Sequence, residues 1–463
     1  MRIGNIALTA VVARIMAPHE VGIFTLAVTL HAFLTSVAEL GIASAAARAD
    51  LDQKQIEPTV AHISVISSLT IAAVVEIFAA PLATALGNAE SEPSVRILAI
   101  GIALIGPFAV PGAVLQRDFR QDVVFRASAI AFLPGSLLLL ALAWLGFGAT
   151  AFAWSRIFAQ LIIGLVMMKA TGWPGMRLHR QLIVPLLTFG IPLALANLVS
   201  QVVLNADYIV IAHLLSAEAV GLFGIAFNVA SWPSAVIGTV LNGLVLPTIS
   251  RVVRDGGDTA KSLRQAVTMI STVAFPVAAF TAFFAHPLLA VLYGSRWEEA
   301  SPSLTLLAAY GALFVIGLLL ANALVAFGRT GSLLVVQVLA LLVLAPSLIF
   351  GAMWAGLIGV AAAHAVVIVV VVIPAYLVIA RRLAGFGASD LIGPMMLPAV
   401  RALACVSTAW VVTQGASELV KLLAGGILFG AMYVFVARTT LRQMVPERVA
   451  FNITRTLRLR REP

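Results

Sequence analysis

The chain contains two similar twelve-residue stretches, ARIMAPHEVGIF at residues 13–24 and AHLLSAEAVGLF at residues 212–223. Aligned without a gap, both begin with Ala, Arg or His and two apolar residues, and both end in Val-Gly-apolar-Phe. A chance match of Gly-Phe turns in an Ala/Leu-rich chain is the alternative to an internal repeat. These two explanations make different predictions. An internal repeat requires both copies to fall at equivalent places in the topology, and a chance match does not.

The composition predicts a membrane protein. Of 463 residues, 61% are hydrophobic and 11% are charged, and the mean hydropathy is +1.05, whereas soluble proteins carry about 25% charged residues. No cleavable signal peptide is expected, because the apolar N-terminus lacks a small-residue cleavage pattern. The first predicted span is short, which is expected if the true start lies upstream of Met1 or if the first helix is truncated.

Transmembrane helices need about 20 mostly apolar residues, and breaks at charged and Gly/Pro-rich segments then predict an all-α fold with about fourteen spans. The spans lie near residues 3–17, 21–47, 59–86, 95–115, 124–146, 149–168, 184–212, 219–248, 265–292, 302–327, 331–352, 355–380, 394–413 and 418–437.

The charges predict the orientation. Most of the 29 Lys and Arg residues fall in loops on one side, together with the tail 438–463, whereas the opposite loops carry Glu90, Glu92, Glu298 and Glu299. Because positive loops stay cytoplasmic, both termini are expected inside, which agrees with an even number of spans. The basic tail is expected to anchor to anionic headgroups; docking to cytoplasmic polysaccharide enzymes is the alternative.

In this topology each copy of the duplicated stretch is an outer turn, and six spans separate the copies. An even separation preserves direction, so the repeat is parallel, as in transporters built from two lobes. The predicted organisation is a six-helix lobe at 1–180, a second at 181–385, two additional helices at 386–437 and the tail at 438–463.

Enzyme motifs are absent from the sequence. It has one cysteine, Cys405, which is expected to be a buried apolar residue, and it lacks HExxH, GxxxxGK[ST] and GxSxG. No metal, cofactor or catalytic residue is therefore expected. The net charge of +9 is explained by the cytoplasmic loops, so no nucleic-acid partner is expected.

Three stretches carry a family resemblance: ARIMAPHEVGIF, QRDFRQDVVFR at 116–126 and NADYIVIAHLLSAEAVGLFGIA at 205–226. They resemble the outer turn, the loop between spans 4 and 5 and the seventh span of Wzx-type oligosaccharide flippases, in the multidrug/oligosaccharidyl-lipid/polysaccharide exporter superfamily. The resemblance implies an inner-membrane protein that moves a polyprenyl-diphosphate-linked oligosaccharide to the outer leaflet by alternating access. The implied partners are that substrate, membrane lipids and other polysaccharide-assembly membrane proteins.

Two other functions remain open at this stage. A cation-coupled multidrug antiporter of the same superfamily shares the two-lobe plan but usually has twelve spans. A membrane polysaccharide polymerase or ligase carries a large outer loop, and the predicted outer loops here are short.

Polar residues form stripes on several apolar spans, as a wet cavity requires. In span 7, Asn197, Gln201, Asn205 and Tyr208 share one helical face at 100° per residue. Other polar sets comprise His31, Thr35 and Glu39 in span 2; Ser155, Arg156 and Gln160 in span 6; and Asn228, Ser231, Thr239 and Asn242 in span 8, with Trp232 between them. The alternative is polar contacts between helices, worth around 0.6 kcal/mol each.

Charged and helix-breaking residues inside spans suggest more specific roles. Arg14 and Arg156 are expected to hold diphosphate, because guanidinium groups match phosphate oxygens, although both lie near span ends and are able to snorkel. Glu39 and Asp207 are candidates for ion coupling, with a structural ion pair as the alternative. Gly190 and Pro192 suggest a hinge in span 7, or else a static kink.

Overall fold

The computed structural model describes residues 2–38, 53–240 and 246–444, and within them the chain is helical, with no strand. The all-α prediction is confirmed. By its contacts the chain divides into two compact units, Met1–Gly224 and Ile225–Pro463.

The described residues of the first unit form eight helices and the start of a ninth. They are α1 (Arg2–Ile15), α2 (Pro18–Ala38), α3 (Gln53–Ile77), α4 (Ala79–Ala85), α5 (Glu92–Arg117), α6 (Gln121–Trp144), α7 (Ala149–Thr171), α8 (Arg180–Leu214) and α9 (Ala217–Val240). A 3₁₀ turn, Ala89–Ser91, precedes α5.

The described helices of the second unit follow α9, which continues into it. They are α10 (Leu246–Arg254), α11 (Thr259–Phe283), α12 (Ala285–Leu292), α13 (Ser301–Ala326), α14 (Thr330–Val367), α15 (Ile373–Ala384), α16 (Ala388–Thr413) and α17 (Glu418–Met444). A 3₁₀ turn, Ser295–Ala300, precedes α13.

Eleven helical stretches in the described residues are long and apolar enough to cross a membrane. Two shorter apolar helices, Gly4–Ile15 and Ala217–Trp232, accompany them, and the stretch Gly331–Ala384 is long enough to cross twice. The chain is thus a polytopic helical membrane protein, while the number of fourteen spans stays a prediction.

Two predicted spans, 59–86 and 265–292, are each divided in the structure. Phe78 separates α3 from α4 with φ −103° and ψ 20°, and Phe284 separates α11 from α12 with φ −100° and ψ 22°. Three residues after each break stands a proline, Pro81 or Pro287, which lacks the N–H that would continue the helical bonds. The predicted spans do not include these breaks, because hydropathy reads Phe-Ala-x-Pro as apolar sequence only.

A second pair of positions has matching backbone geometry. Gly148, before α7, has φ 53° and ψ −136°. Gly356, at the bend inside α14, has φ 57° and ψ −136°. Positive φ favours glycine, because a Cβ would be strained there. Counting eight residues onward from each glycine leads to Arg156 in one unit and His364 in the other.

The two copies of the duplicated stretch contact each other within the first unit. A Cβ on Gly22 of α2 would lie 1.7 Å from the carbonyl oxygen of Ala217, and a Cβ on Gly221 of α9 would lie 2.0 Å from that of Pro18. Pro18 and Gly22 align with Ala217 and Gly221 in the two copies, so the contact is reciprocal. Glycine at both positions lets the two backbones touch.

The core of the first unit lies where α2 and α3 pack against α5, around Ala27, Val75, Leu98 and Ile102. In the second unit, α13 packs on α11 and α14, and α16 packs on α11 and α17. The lobes predicted at 1–180 and 181–385 stay a prediction. The two compact units are defined by the contacts inside each of them, whereas the lobes are defined as repeats whose spans correspond one to one.

Candidate functional site

A cavity of about 590 Å³ lies between α5 and α7 in the first unit. Its walls come from residues 105–116 of α5 and residues 156–167 of α7. Most of the lining is apolar, including Ile105, Phe108 and Met167. The polar lining consists of Arg156, Gln160 and Gln116.

The two helices approach closely at one end of the cavity. A Cβ on Gly164 of α7 would lie 2.1 Å from the ring of Phe108 on α5, so only glycine leaves room for that ring. Nearer the other end, Gln160 Nε2 donates a hydrogen bond of 2.9 Å to the carbonyl oxygen of Gly101. These contacts fix the separation of the cavity walls.

Arg156 is the charged residue of the cavity lining. It follows the start of α7 by seven residues, about 10 Å along the helix axis, and its side chain is exposed and contributes to the cavity lining. No carboxylate of the described residues lies within ion-pair distance of its guanidinium. The prediction placed Arg156 among diphosphate ligands; its position in a cavity is consistent with that role, which stays a prediction.

His31 of α2 lies beside the same wall. A Cβ on Gly101 would lie 3.3 Å from His31 Cε1 and 3.3 Å from Gln160 Oε1. The side chain of His31 is buried, at 6% exposure. Two members of the predicted polar stripes in spans 2 and 6 therefore meet at one glycine.

The predicted residues of α8 lie apart from this cavity, since none of them lines it. Asn197 is exposed, and Asn205 Nδ2 donates a hydrogen bond of 2.8 Å to the carbonyl oxygen of Gln201. Tyr208 packs edge-on against Phe223. A substrate-binding role for this face stays a prediction.

The proposed coupling residues are only partly described. Asp207 is buried, at 4% exposure, and its Oδ1 accepts a hydrogen bond of 3.0 Å from the backbone N–H of Tyr208. Glu39 lies outside the described residues. A buried carboxylate on α8 is compatible with coupling, and that role is not tested by the geometry.

Gly190 and Pro192 lie within one continuous helix, because α8 runs unbroken from Arg180 to Leu214. Pro192 therefore does not end the helix. Gly190 is buried and Pro192 is exposed. Their role as a hinge stays a prediction.

The remaining predicted ligands are dispersed. Arg14 lies in the last turn of α1 and is not part of the cavity lining. In the second unit, Asn228 accepts a hydrogen bond of 3.1 Å from Trp232 Nε1. Asn242 lies outside the described residues.

Two features of the site escaped sequence reasoning. Gln116 belongs to the stretch 116–126 that resembles a loop, yet it lines the cavity from the end of α5. Gly101 and Gly164 carry no signal in the sequence, because their importance depends on the side chains that lie opposite them. Arg156 and Gln160 of predicted span 6 line this cavity, whereas no described residue of the polar stripes predicted in spans 2, 7 and 8 does.

The chain belongs to the family described as polysaccharide biosynthesis protein, because residues 11–302 match that family. The resemblance to Wzx-type flippases that the sequence predicted is confirmed.

Two curated relatives show the range of similarity. The succinoglycan biosynthesis transport protein ExoT of Rhizobium meliloti (strain 1021) is 26% identical over 64% of this chain, and the match spans 60% of ExoT. The lipopolysaccharide biosynthesis protein WzxC of Escherichia coli (strain K12) is 21% identical over 84% of this chain and 80% of WzxC.

Solved structures share the fold. The lipid II flippase MurJ in an inward closed conformation matches with a TM-score of 0.78 and 13% identity, over 96% of this chain and 98% of MurJ. An inward-facing multidrug resistance transporter of the MATE family matches with a TM-score of 0.63 and 18% identity, over 81% of this chain and 94% of that one.

Proposed function

We propose that this chain translocates a polyprenyl-diphosphate-linked oligosaccharide across the bacterial cytoplasmic membrane for surface polysaccharide synthesis, by alternating access. The chain is a multi-pass membrane protein of polysaccharide biosynthesis, and its relatives support transport rather than catalysis. ExoT is named as a transport protein, WzxC as a lipopolysaccharide biosynthesis protein and MurJ as a flippase.

One observation supports an anionic substrate: Arg156 lies in the α5–α7 cavity without a carboxylate partner among the described residues. A guanidinium group inside a membrane protein is costly, by ~2.5–3.5 kcal/mol on insertion scales, and such groups usually serve a cavity or a partner. Its planar N–H groups bind phosphate oxygens in pairs. The neighbouring amides of Gln160 and Gln116 suit sugar hydroxyls.

The orientation supports loading from the cytoplasm. If the positive loops are cytoplasmic, Gln116 lies at the cytoplasmic end of α5 and Arg156 lies deeper in the membrane. The headgroup would then enter at Gln116 and reach Arg156, while the prenyl chain stays in lipid.

The multidrug antiporter is the second candidate, and the fold does not separate it from a flippase because MATE transporters share the fold. The charge of the cavity favours the flippase. A cationic drug is repelled by a guanidinium group, and the described residues of the cavity lining include Arg156 and no acidic residue. Polymerase or ligase activity has no support from these relatives.

The first test is deletion of the gene in its host and complementation with variants. Deletion is expected to abolish surface polysaccharide and to accumulate the lipid-linked precursor. Arg156→Gln is expected to lower transport about 10- to 100-fold, because a hydrogen bond to a charged group contributes ~1.5–3 kcal/mol, and Arg156→Lys is expected to restore it in part.

The matched control is Arg96→Gln, which removes an exposed arginine that pairs with Glu76 and Glu92 outside the cavity. It is expected to complement like the wild type. Full complementation by Arg156→Gln would show that the cavity is not the substrate site. Unaltered surface polysaccharide after deletion would contradict the proposed function.

A further inference from the structure

The turn between α5 and α6 holds an aromatic residue in a backbone conformation that favours glycine. Phe119 has φ 55° and is the one residue other than glycine with a positive φ among those that the structure describes. In that region a Cβ lies too close to the following carbonyl oxygen, which costs free energy for any residue except glycine. The side chain of Phe119 is 89% exposed, so its burial in the protein does not offset this cost.

The equivalent turn of the second unit shows that glycine fits this position. The N–H groups of Phe119 and Arg120 donate to carbonyl oxygens in the last turn of α5, at 3.2 and 2.9 Å. Between α13 and α14, the N–H groups of Gly328 and Arg329 donate to the last turn of α13 in the same pattern. Glycine is the usual residue at this position of a helix C-terminus. Both turns have the arginine, and the first unit has a phenylalanine in place of glycine at a cost in stability.

The turn lies next to the α5–α7 cavity. Its three residues, 118–120, connect the apolar stretches Ala89–Arg117 and Gln121–Trp144, each of which is long enough to cross a membrane. The turn is therefore at the level of the lipid headgroups. The carbonyl oxygen that accepts the N–H of Phe119, 3.2 Å away, belongs to Gln116, and Gln116 lines the cavity.

Arg120 places a cation beside the exposed ring. The preceding Arg117 is paired with Glu57 and with Asp118, at 3.0 Å each. Arg120 is exposed and has no carboxylate within ion-pair distance in the described part of the chain. Its guanidinium group is thus available to phosphate oxygens, and the ring of Phe119 is available to an apolar chain.

A lipid that joins phosphate groups to an apolar chain fits such a pair of residues. A prenyl diphosphate has this chemistry, and so does an anionic phospholipid. The cavity favours the prenyl diphosphate, because an anchor in bulk lipid needs no contact with a cavity residue. The second unit agrees with this choice, since its equivalent turn has the arginine without the ring.

We propose that Phe119 and Arg120 form a docking site for the prenyl diphosphate at the mouth of the α5–α7 cavity. The ring packs against the first isoprene units, and the guanidinium group binds the diphosphate before the headgroup passes Gln116 toward Arg156. This proposal rests on the proposed function, because it takes the substrate to be a prenyl diphosphate.

Calorimetric titration of the purified full chain in detergent with farnesyl diphosphate tests the site. Phe119→Ala and Arg120→Gln are each expected to weaken binding about 3- to 10-fold, because each removes one of the two contacts. Phe119→Tyr keeps the ring and should keep the affinity. Inorganic diphosphate lacks the prenyl chain, so Phe119→Ala should bind it as the wild type does and Arg120→Gln should bind it more weakly.

Phe119→Gly separates binding from folding. It removes the ring and the strained Cβ together, so it should weaken farnesyl diphosphate binding as Phe119→Ala does and raise the unfolding temperature by about 2–4 °C. A ring that the fold needs would lower that temperature instead. The matched controls are Arg329→Gln, at the equivalent turn, and Phe350→Ala, which removes a ring that is 69% exposed on α14. Both should bind as the wild type does.

Unchanged affinity in Phe119→Ala and Phe119→Gly would overturn the proposal, as would a lower unfolding temperature of Phe119→Gly. Displacement of farnesyl diphosphate by an equal concentration of phosphatidylglycerol, with the same dependence on Phe119, would assign the turn to membrane phospholipid and overturn the proposal too. Failure of the proposed function is a separate result. A wild type that does not bind farnesyl diphosphate would contradict the anionic substrate itself, and Arg156→Gln with wild-type affinity would show that the cavity is not the site.

Discussion

At the scale of single residues, buried polar groups in apolar helices are the informative ones. Asp207, at 4% exposure on α8, and His31, at 6% exposure on α2, are both titratable and both buried. Burial of such groups is costly unless they are paired or neutral. Their retention in a chain that is 61% hydrophobic points to roles that an apolar residue would not fill.

Replacement of Asp207 separates a coupling role from a structural one. Asp207→Asn keeps the size of the side chain and an oxygen for the N–H of Tyr208, but it removes the charge and the exchangeable proton. We expect it to abolish transport in the complementation assay while membrane insertion, measured by immunoblotting of membranes, stays normal.

Asp255→Asn is the control for Asp207, because Asp255 is an exposed carboxylate at the end of α10. It should complement fully. Wild-type transport by Asp207→Asn would show that neither the charge nor the proton of Asp207 is used.

At the scale of helices, glycine and proline positions set the geometry of both units. Phe78 and Phe284 interrupt helices with almost the same φ and ψ, each three residues before a proline. Gly148 and Gly356 share a second unusual conformation. The same local solutions thus occur in both halves of the chain, although few side chains match.

The contact between Gly22 and Gly221 makes a prediction about stability. Gly22→Ala would place a methyl group 1.7 Å from the carbonyl oxygen of Ala217, so the two backbones must separate. We expect a loss of about 1–3 kcal/mol, the usual cost of overpacking, seen as a lower unfolding temperature in detergent. Gly221→Ala should act alike, and the double variant should cost less than the sum, because both change one contact.

Gly393→Ala serves as the control for this contact, since a Cβ on Gly393 in α16 meets nothing within 4 Å. It should leave the unfolding temperature unchanged or raise it slightly, because Ala favours helix. A Gly22→Ala protein as stable as Gly393→Ala would mean that the helices separate there without cost.

At the scale of the whole molecule, the distribution of charge predicts the orientation in the membrane. Cys405 is the one cysteine and is buried, so single cysteines are readily introduced into a Cys405→Ser background. Phe147 and Trp173 are each 49% exposed, at opposite ends of α7. The positive-inside pattern places Phe147 outside and Trp173 in the cytoplasm.

A membrane-impermeant maleimide should therefore label Phe147→Cys in intact spheroplasts, and Trp173→Cys only after lysis. Matched exposure of the two positions makes each the control for the other. The reverse pattern would invert the predicted topology and move the opening of the cavity to the outer side.

Sequence alone predicts the class of protein and most helix bounds, while the role of Arg156 as a ligand stays a prediction. Hydropathy reports which segments partition into lipid, and this depends on composition within each segment. The bend at residues 355–356 lies at the start of the predicted span 355–380, next to the break predicted after residue 352. These features depend on residues close together in the chain.

Only the tertiary structure shows that α5 and α7 line a cavity, that His31 and Gln160 meet at Gly101, and that Gly22 faces Gly221. The predicted ligands on α8 were chosen by helical periodicity, which defines a shared face but not the helix opposite it. Whether a polar face lines a cavity or packs against a neighbour depends on contacts between residues far apart in sequence. For that reason the sequence determined the helices and the family of this protein, and the packing of the helices determined which polar residues share a site.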